Sequence, residues 1–176
     1  MKTHLMIWIA MICCFSVQPI YAQDTVAIYE PQLPILIERQ DNVFMNIRIE
    51  ANQSKALQEV RLCFDKDVNL DEVKSVKLYY SGTEGAGRKG MYFSPNLDYI
   101  ANRLPGNTLV ANPSYSVLKS QVVSPKHEIS LRTNQKLFSG VNYFWISVQM
   151  KPNASIRSKV SAEVSDVILD GSSAPI

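Results

Sequence analysis

Apolar and polar positions alternate along most of this chain, and the alternation has period two. The longest such stretch is Val141-Asn-Tyr-Phe-Trp-Ile-Ser-Val-Gln-Met-Lys-Pro152, dense in β-branched and aromatic residues with no breaker inside. Strand side chains point alternately to opposite faces. Phe144, Ile146, Val148 and Met150 therefore share one side, apolar from end to end, that predicts a core face. Val141, Tyr143, Trp145, Ser147 and Gln149 make the other side, which is aromatic and polar at once. A strand with neither face plainly wet belongs in the middle of a sheet. Pro152 ends it, because proline has no N–H for a ladder.

The same pattern predicts further strands. Val43–Glu50 places Val43, Met45, Ile47 and Ile49 inward and Asn46, Arg48 and Glu50 outward. In Leu57–Phe64 the residues Val60, Leu62 and Phe64 point inward, with Leu57, Glu59, Arg61 and Cys63 on the reverse. Val76, Leu78 and Tyr80 alternate with Lys77 and Tyr79, and Glu128–Arg132 restarts the alternation before the central strand. Thr25–Glu30 and Leu33–Glu38 are β-prone pieces punctuated by Pro31 and Pro34, which suits edge positions. Lys159–Val164 and Val167–Leu169 close the series. Between them, Asp65–Val73 reads as a polar turn and Ser81–Gly90 as a glycine-rich loop ahead of Met91–Phe93. Ser94–Pro125 is loop-like, with brief β pieces at Thr108–Ala111 and Ser116–Leu118. No apolar period of 3.6 residues reaches helical length, and no internal repeat occurs. The expectation is an all-β fold, an antiparallel β-sandwich of jelly-roll type, with the long middle segment crossing one face or one end.

Residues 1–22 stand apart. Lys2 and His4 give a positive start, Leu5–Val17 is apolar, and Tyr21-Ala22 offers a small residue for cleavage. This is the form of a secretory signal peptide, and its apolar run is short for a membrane span. It predicts export to the periplasm, cell surface or medium. The residues before Cys13 and Cys14 are not the small ones that lipid attachment requires. Residues 23–176 are then read as a single β-sandwich domain. A formal charge of +2 for the whole chain, with no basic stripe, excludes a nucleic-acid binder. Only Cys63 lies beyond residue 22, so no disulfide within the chain is expected, and it reads as a small buried thiol.

The motifs that carry chemistry mostly dissolve on inspection. Gly85-Ala-Gly87-Arg-Lys-Gly90 fits a dinucleotide fingerprint, but Met91-Tyr-Phe-Ser-Pro95 is not the helix start that would hold a pyrophosphate. Asp65, Asp67, Asn69 and Asp71 alternate like calcium ligands, yet Leu70 and Val76 occupy the positions where that loop needs glycine and glutamate. His127 is the one histidine after residue 22, too little material for a histidine metal site or a nucleophile–histidine triad. No metal and no cofactor are expected. Aromatic residues are the richer set. Sugar rings lie flat on aromatic faces while a tyrosine hydroxyl orients them. Tyr92, Tyr99 and Tyr115, in or beside loops, are the candidate glycan contacts, with Arg103 the guanidinium placed to pair with a sugar carboxylate. Tyr143 and Trp145 are expected to be covered, by the Ser94–Pro125 segment or by a partner, since a bare patch there would be unusual.

Four stretches together resemble one family: Pro34-Ile-Leu-Ile-Glu-Arg-Gln-Asp-Asn-Val43, Val76-Lys-Leu-Tyr-Tyr-Ser-Gly-Thr-Glu84, Ala111-Asn-Pro-Ser-Tyr115 and Gly140–Pro152. They look like the N-terminal, non-catalytic domain of secreted bacterial exo-α-sialidases, collinear from about Thr25 to Gly171. In that family the domain precedes a six-bladed propeller, where an arginine triad, a tyrosine nucleophile and acidic partners release terminal sialic acid. The Arg-Ile-Pro motif and the Ser-x-Asp-x-Gly-x-Thr-Trp boxes of that propeller do not occur in this sequence, which ends about where the propeller would begin. The resemblance thus implies a carbohydrate-binding-like accessory domain with no catalytic residue of its own. Its implied partners are sialylated or other glycans and a sialidase propeller. The alternative is a purely structural module that packs on a partner domain and binds no sugar.

Overall fold

The structure, a computed structural model, describes residues 23–31, 34–83 and 116–176. Among these residues the chain forms β1 (Thr25–Tyr29), β2 (Asn42–Ala51), β3 (Lys55–Phe64), a 3-10 turn (Leu70–Glu72), β4 (Val73–Thr83), β5 (Val117–Val123), β6 (Glu128–Leu137), β7 (Gly140–Met150), β8 (Ala162–Leu169) and β9 (Ser172–Ser173). Two antiparallel sheets result, one ordered β1-β2-β7-β4-β5 and the other β6-β3-β8-β9. The all-β sandwich expected from the alternation is the observed fold. The pairs β4–β5, β3–β6 and β2–β7 are nested, inner with inner and outer with outer. That nesting is how a long hairpin wraps into a jelly roll.

β7 sits between β2 and β4, so it has no free edge and both faces carry packed side chains. Phe144, Ile146, Val148 and Met150 enter the main core with Met45, Ile47, Leu78, Leu62 and Leu131. Tyr80 lies opposite Phe144 across the ladder, with ring centroids 4.8 Å apart. Burial pushes the Tyr80 hydroxyl up to about 12, and that hydroxyl donates to Asn142 at 3.2 Å. Asn142, fully buried, also donates to the carbonyls of Phe138 and Gly140. It thereby closes the β6–β7 turn, where Gly140 holds φ +95° at no Cβ cost.

Two register shifts alter the inward and outward sets. Between Val43 and Met45 the β2–β7 ladder slips, so Phe44 takes the core side, where it packs against the main cluster. Val43 is turned to the opposite face beside Trp145, not inward as strict alternation predicts. Between Leu57 and Glu59 the ladders of β3 to both β6 and β8 shift. Leu57 consequently joins Val60 and Leu62 in the core, fully buried. In each case one extra residue on a strand reverses the facing of everything beyond it. Residues 34–41 form no strand, and Val117–Val123 is a full edge strand rather than a brief β piece.

Both sheets place four connections at one end of the sandwich. Residues 34–41 lead into β2, 65–72 into β4, 124–127 into β6 and 151–161 into β8. Phe64 pairs with Ala162 there, and Val73 with Met150.

Candidate functional site

The outer face of the five-stranded sheet carries the aromatic side of β7. Trp145 lies opposite Asn46 on β2 and Tyr79 on β4. The Tyr79 and Trp145 rings stack 4.3 Å apart and 10° from parallel, a contact worth about 0.5–1.5 kcal/mol beyond its buried area. Trp145 is fully buried and Tyr143 nearly so. The indole Nε1–H donates to Ser116 Oγ at 2.8 Å, and Ser81 Oγ lies 2.8 Å from the same hydroxyl. Ser116, just before β5, thus fixes the edge of the aromatic stack.

Asp41 sits at the other end of this face. Its Oδ1 accepts from Lys77 Nζ at 2.9 Å, the Tyr79 hydroxyl at 2.8 Å and Ser147 Oγ at 3.1 Å. Lys77 also donates to the Gln40 carbonyl at 3.1 Å. Burial by itself would raise the Asp41 carboxyl, but the donors Lys77, Tyr79 and Ser147 and the Lys77 charge outweigh it and hold the carboxyl below its ordinary range. Burial, and then the neighbouring carboxylate, push the Tyr79 hydroxyl well above its usual value. Chemically this is a latch. It fastens residues 40–41 to β4 and β7, and its one ammonium and one carboxylate are spent on each other. Within the stack Trp145 is fully buried and Tyr79 half-buried.

The candidate glycan contacts Tyr92, Tyr99, Arg103 and Tyr115 lie outside the described residues, while Tyr143 and Trp145, expected to be covered by a loop or a partner, belong to the buried outer face just described. Among the described residues no three His, Cys, Asp or Glu side chains gather as a metal site. The alternating Asp65–Asp71 stretch is used locally instead. Asp65 accepts from Ser161, and Asn69 caps the 3-10 turn by accepting from Asp71 N–H. His127 borders a shallow cleft with Lys126, Glu128, Asn69 and Asp71. Cys63 is a free, half-buried thiol.

A feature that strand periodicity does not foretell lies at the four-loop end. A groove of about 780 Å³ runs between residues 35–39 and residues 150–158. Asn42, buried at the root of β2, holds one wall: its Oδ1 accepts from Leu36 N–H at 2.8 Å, and its Nδ2 donates to the Leu36 and Val148 carbonyls at 3.0 Å each. Glu72 holds the other wall, taking the Ser155 N–H at 3.3 Å and the Ser158 hydroxyl. Ile156, carried on that pinned turn, is 92% exposed, and Leu36 facing it is 50% exposed. In the sequence the only sign is an isoleucine alone in the polar run Asn153-Ala-Ser-Ile-Arg-Ser158.

These features define a class: an antiparallel β-sandwich with a latched outer face and a loop end that carries a groove lined by both aliphatic and polar side chains. Residues 23–173 match the family described as the N-terminal domain of BNR-repeat neuraminidase, and the chain belongs to that family. It is 47% identical over 163 residues to a sialidase of Bacteroides fragilis, covering 92% of this chain and 30% of that protein. Among solved structures it is similar to the Hadza microbial sialidase Hz136, at 39% identity and a TM-score of 0.69, covering 85% of this chain and 29% of the other. The chain therefore spans about a third of the length of the curated relative that it matches. No helix among the described residues is long and apolar enough to cross a membrane.

Proposed function

We propose that this chain serves as the accessory module of an exported sialidase, docking on and positioning the catalytic domain while doing no chemistry itself. The observation that carries the proposal is the extent of its likeness. Both relatives are sialidases, and the chain corresponds to under a third of each, in a family described as an N-terminal domain. Glycoside hydrolysis needs an acid and a nucleophile converging on one bond. Among the described residues the carboxylate of Asp41 is instead held by three side-chain donors, Lys77, Tyr79 and Ser147. The signal-like residues 1–22 support export. Glycan binding through Tyr92, Tyr99, Arg103 and Tyr115 is the finer alternative, favoured by their aromatic and guanidinium chemistry.

The test joins residues 23–176 to the unmatched part of the Bacteroides fragilis sialidase, in place of that enzyme's own matched region, and compares the product with the unmatched part alone. The expected result is a longer thermal half-life for the joined protein and no turnover of an artificial sialoside by this chain alone. Turnover by the repurified chain alone, or equal half-lives, would overturn the proposal. Titration with sialyllactose tests the glycan alternative separately.

A further inference from the structure

We infer that the groove between residues 35–39 and 150–158 is the surface on which the catalytic domain of such a sialidase seats, with Ile156 and Leu36 as its anchors. The inference rests on the accessory-module reading and adds the place of contact.

Exposed apolar side chains on loose loops are common and carry little meaning. Ile156 is different, because Glu72 ties both flanks of its turn through Ser155 and Ser158 and Ser155 Oγ accepts from Arg157 N–H at 3.2 Å. On the facing wall, the buried Asn42 fixes Leu36 by two hydrogen bonds to its backbone. Two bare aliphatic side chains are thus held in place beforehand, so little ordering cost remains to be met when a partner covers them. Glu38 and Arg39 also line the groove, giving charged groups at the margin of an apolar centre, which is the usual anatomy of a protein–protein contact.

The chemistry of the lining selects a protein over a glycan. Among the described residues no aromatic ring lines the groove, so these side chains offer a sugar no face on which to stack.

Chain direction selects the catalytic domain over other proteins. β9 runs antiparallel to β8, with Ser172 opposite Leu169 and Ser173 opposite Ile168. Ala174 N–H then donates to Val167 O at 2.8 Å, and Pro175 O accepts from Val26 N–H at 3.3 Å. Residues 172–176 therefore travel back along β8 toward its start at Ala162, the end that carries the four loops. At Pro175 the chain is level with Val26 near the start of β1, and its direction there is toward the end that carries the groove, the course expected in a family whose unit stands N-terminal. Phe138, 55% exposed, sits on the turn at the opposite end and serves as the control.

The experiment reads side-chain occlusion directly. Ile156→Cys and Phe138→Cys are each labelled with a thiol reagent, in this chain alone and in the joined protein defined above, with the Cys63 background subtracted. The expected result is labelling of Ile156→Cys at least tenfold slower in the joined protein, with Phe138→Cys unchanged. Slowing at Phe138→Cys but not at Ile156→Cys would overturn this placement and leave the docking reading intact. No slowing at either site would overturn both. Slow labelling of Ile156→Cys already in the isolated chain, relieved by dilution, would show that a second copy fills the groove, and would overturn the assignment to the catalytic domain.

Discussion

Phe144→Ala tests the central claim about β7, that its even-numbered side chains form the core. Phe144 is fully buried, lying between Ile47 on β2 and Tyr80 on β4 in directly opposed positions. Truncating a buried phenylalanine costs about 3–5 kcal/mol, because the transfer free energy is lost and a cavity is left behind. Here the upper part of that range applies. Both flanking strands are themselves locked in ladders and cannot collapse inward, and the ring contact with Tyr80 at 4.8 Å disappears as well. A loss of roughly 4–5 kcal/mol is a large share of the ~5–15 kcal/mol that a domain commands. At roughly 2–4 °C per kcal/mol for a protein of this size, the melting temperature should fall by roughly 8–20 °C. Trp145 provides the assay. In protein produced from residue 23 it is the only tryptophan, it is fully buried, and it lies on the face of β7 opposite the mutation. Urea unfolding followed by its emission therefore reports global unfolding without direct contact with the altered site. Ile156→Ala, at a position 92% exposed, is the contrast and should stay within about 0.5 kcal/mol of wild type. A Phe144→Ala loss below 1 kcal/mol, or equal losses in the two variants, would refute the assignment of faces.

Acid should weaken the latch at Asp41. Its carboxyl is held below the ordinary value in the folded chain, so its stabilising contribution is complete above the unfolded pKa of about 3.9. That contribution is lost as pH falls from there through the folded value. Asp41→Asn should flatten the acid limb of the stability–pH curve, and a limb of unchanged steepness would count against the latch. Asn42→Ala removes the clamp on Leu36 and Val148 and strands buried backbone groups, at a cost of roughly 2–4 kcal/mol. It should also quicken hydrogen exchange at residues 36–39, and exchange rates equal to wild type there would contradict the role given to Asn42.

Much of this fold is written in the residues themselves. Phe144, Ile146, Val148 and Met150 face the core because period-two alternation with breakers at both ends allows a strand no better burial. The resemblance in the stretches Pro34–Val43 and Gly140–Pro152 carried the family as well as the sandwich. What escaped the sequence depends on pairing between distant segments. Val43 and Leu57 change faces because the ladders slip at Phe44 and Gln58, and a slip is a property of two strands that neither strand encodes alone. Only the Ser116–Leu118 start of β5 was legible, because an edge strand with all seven residues from Val117 to Val123 wholly or partly wet has no apolar stripe to show. The Asp41 latch joins residues 36 and 106 positions apart, and the groove joins two loops that are far apart in the chain, residues 35–39 and 150–158. Local chemistry decided which segments became strands; only the closing of one sheet over the other decided which loops met, and so where a binding surface could form.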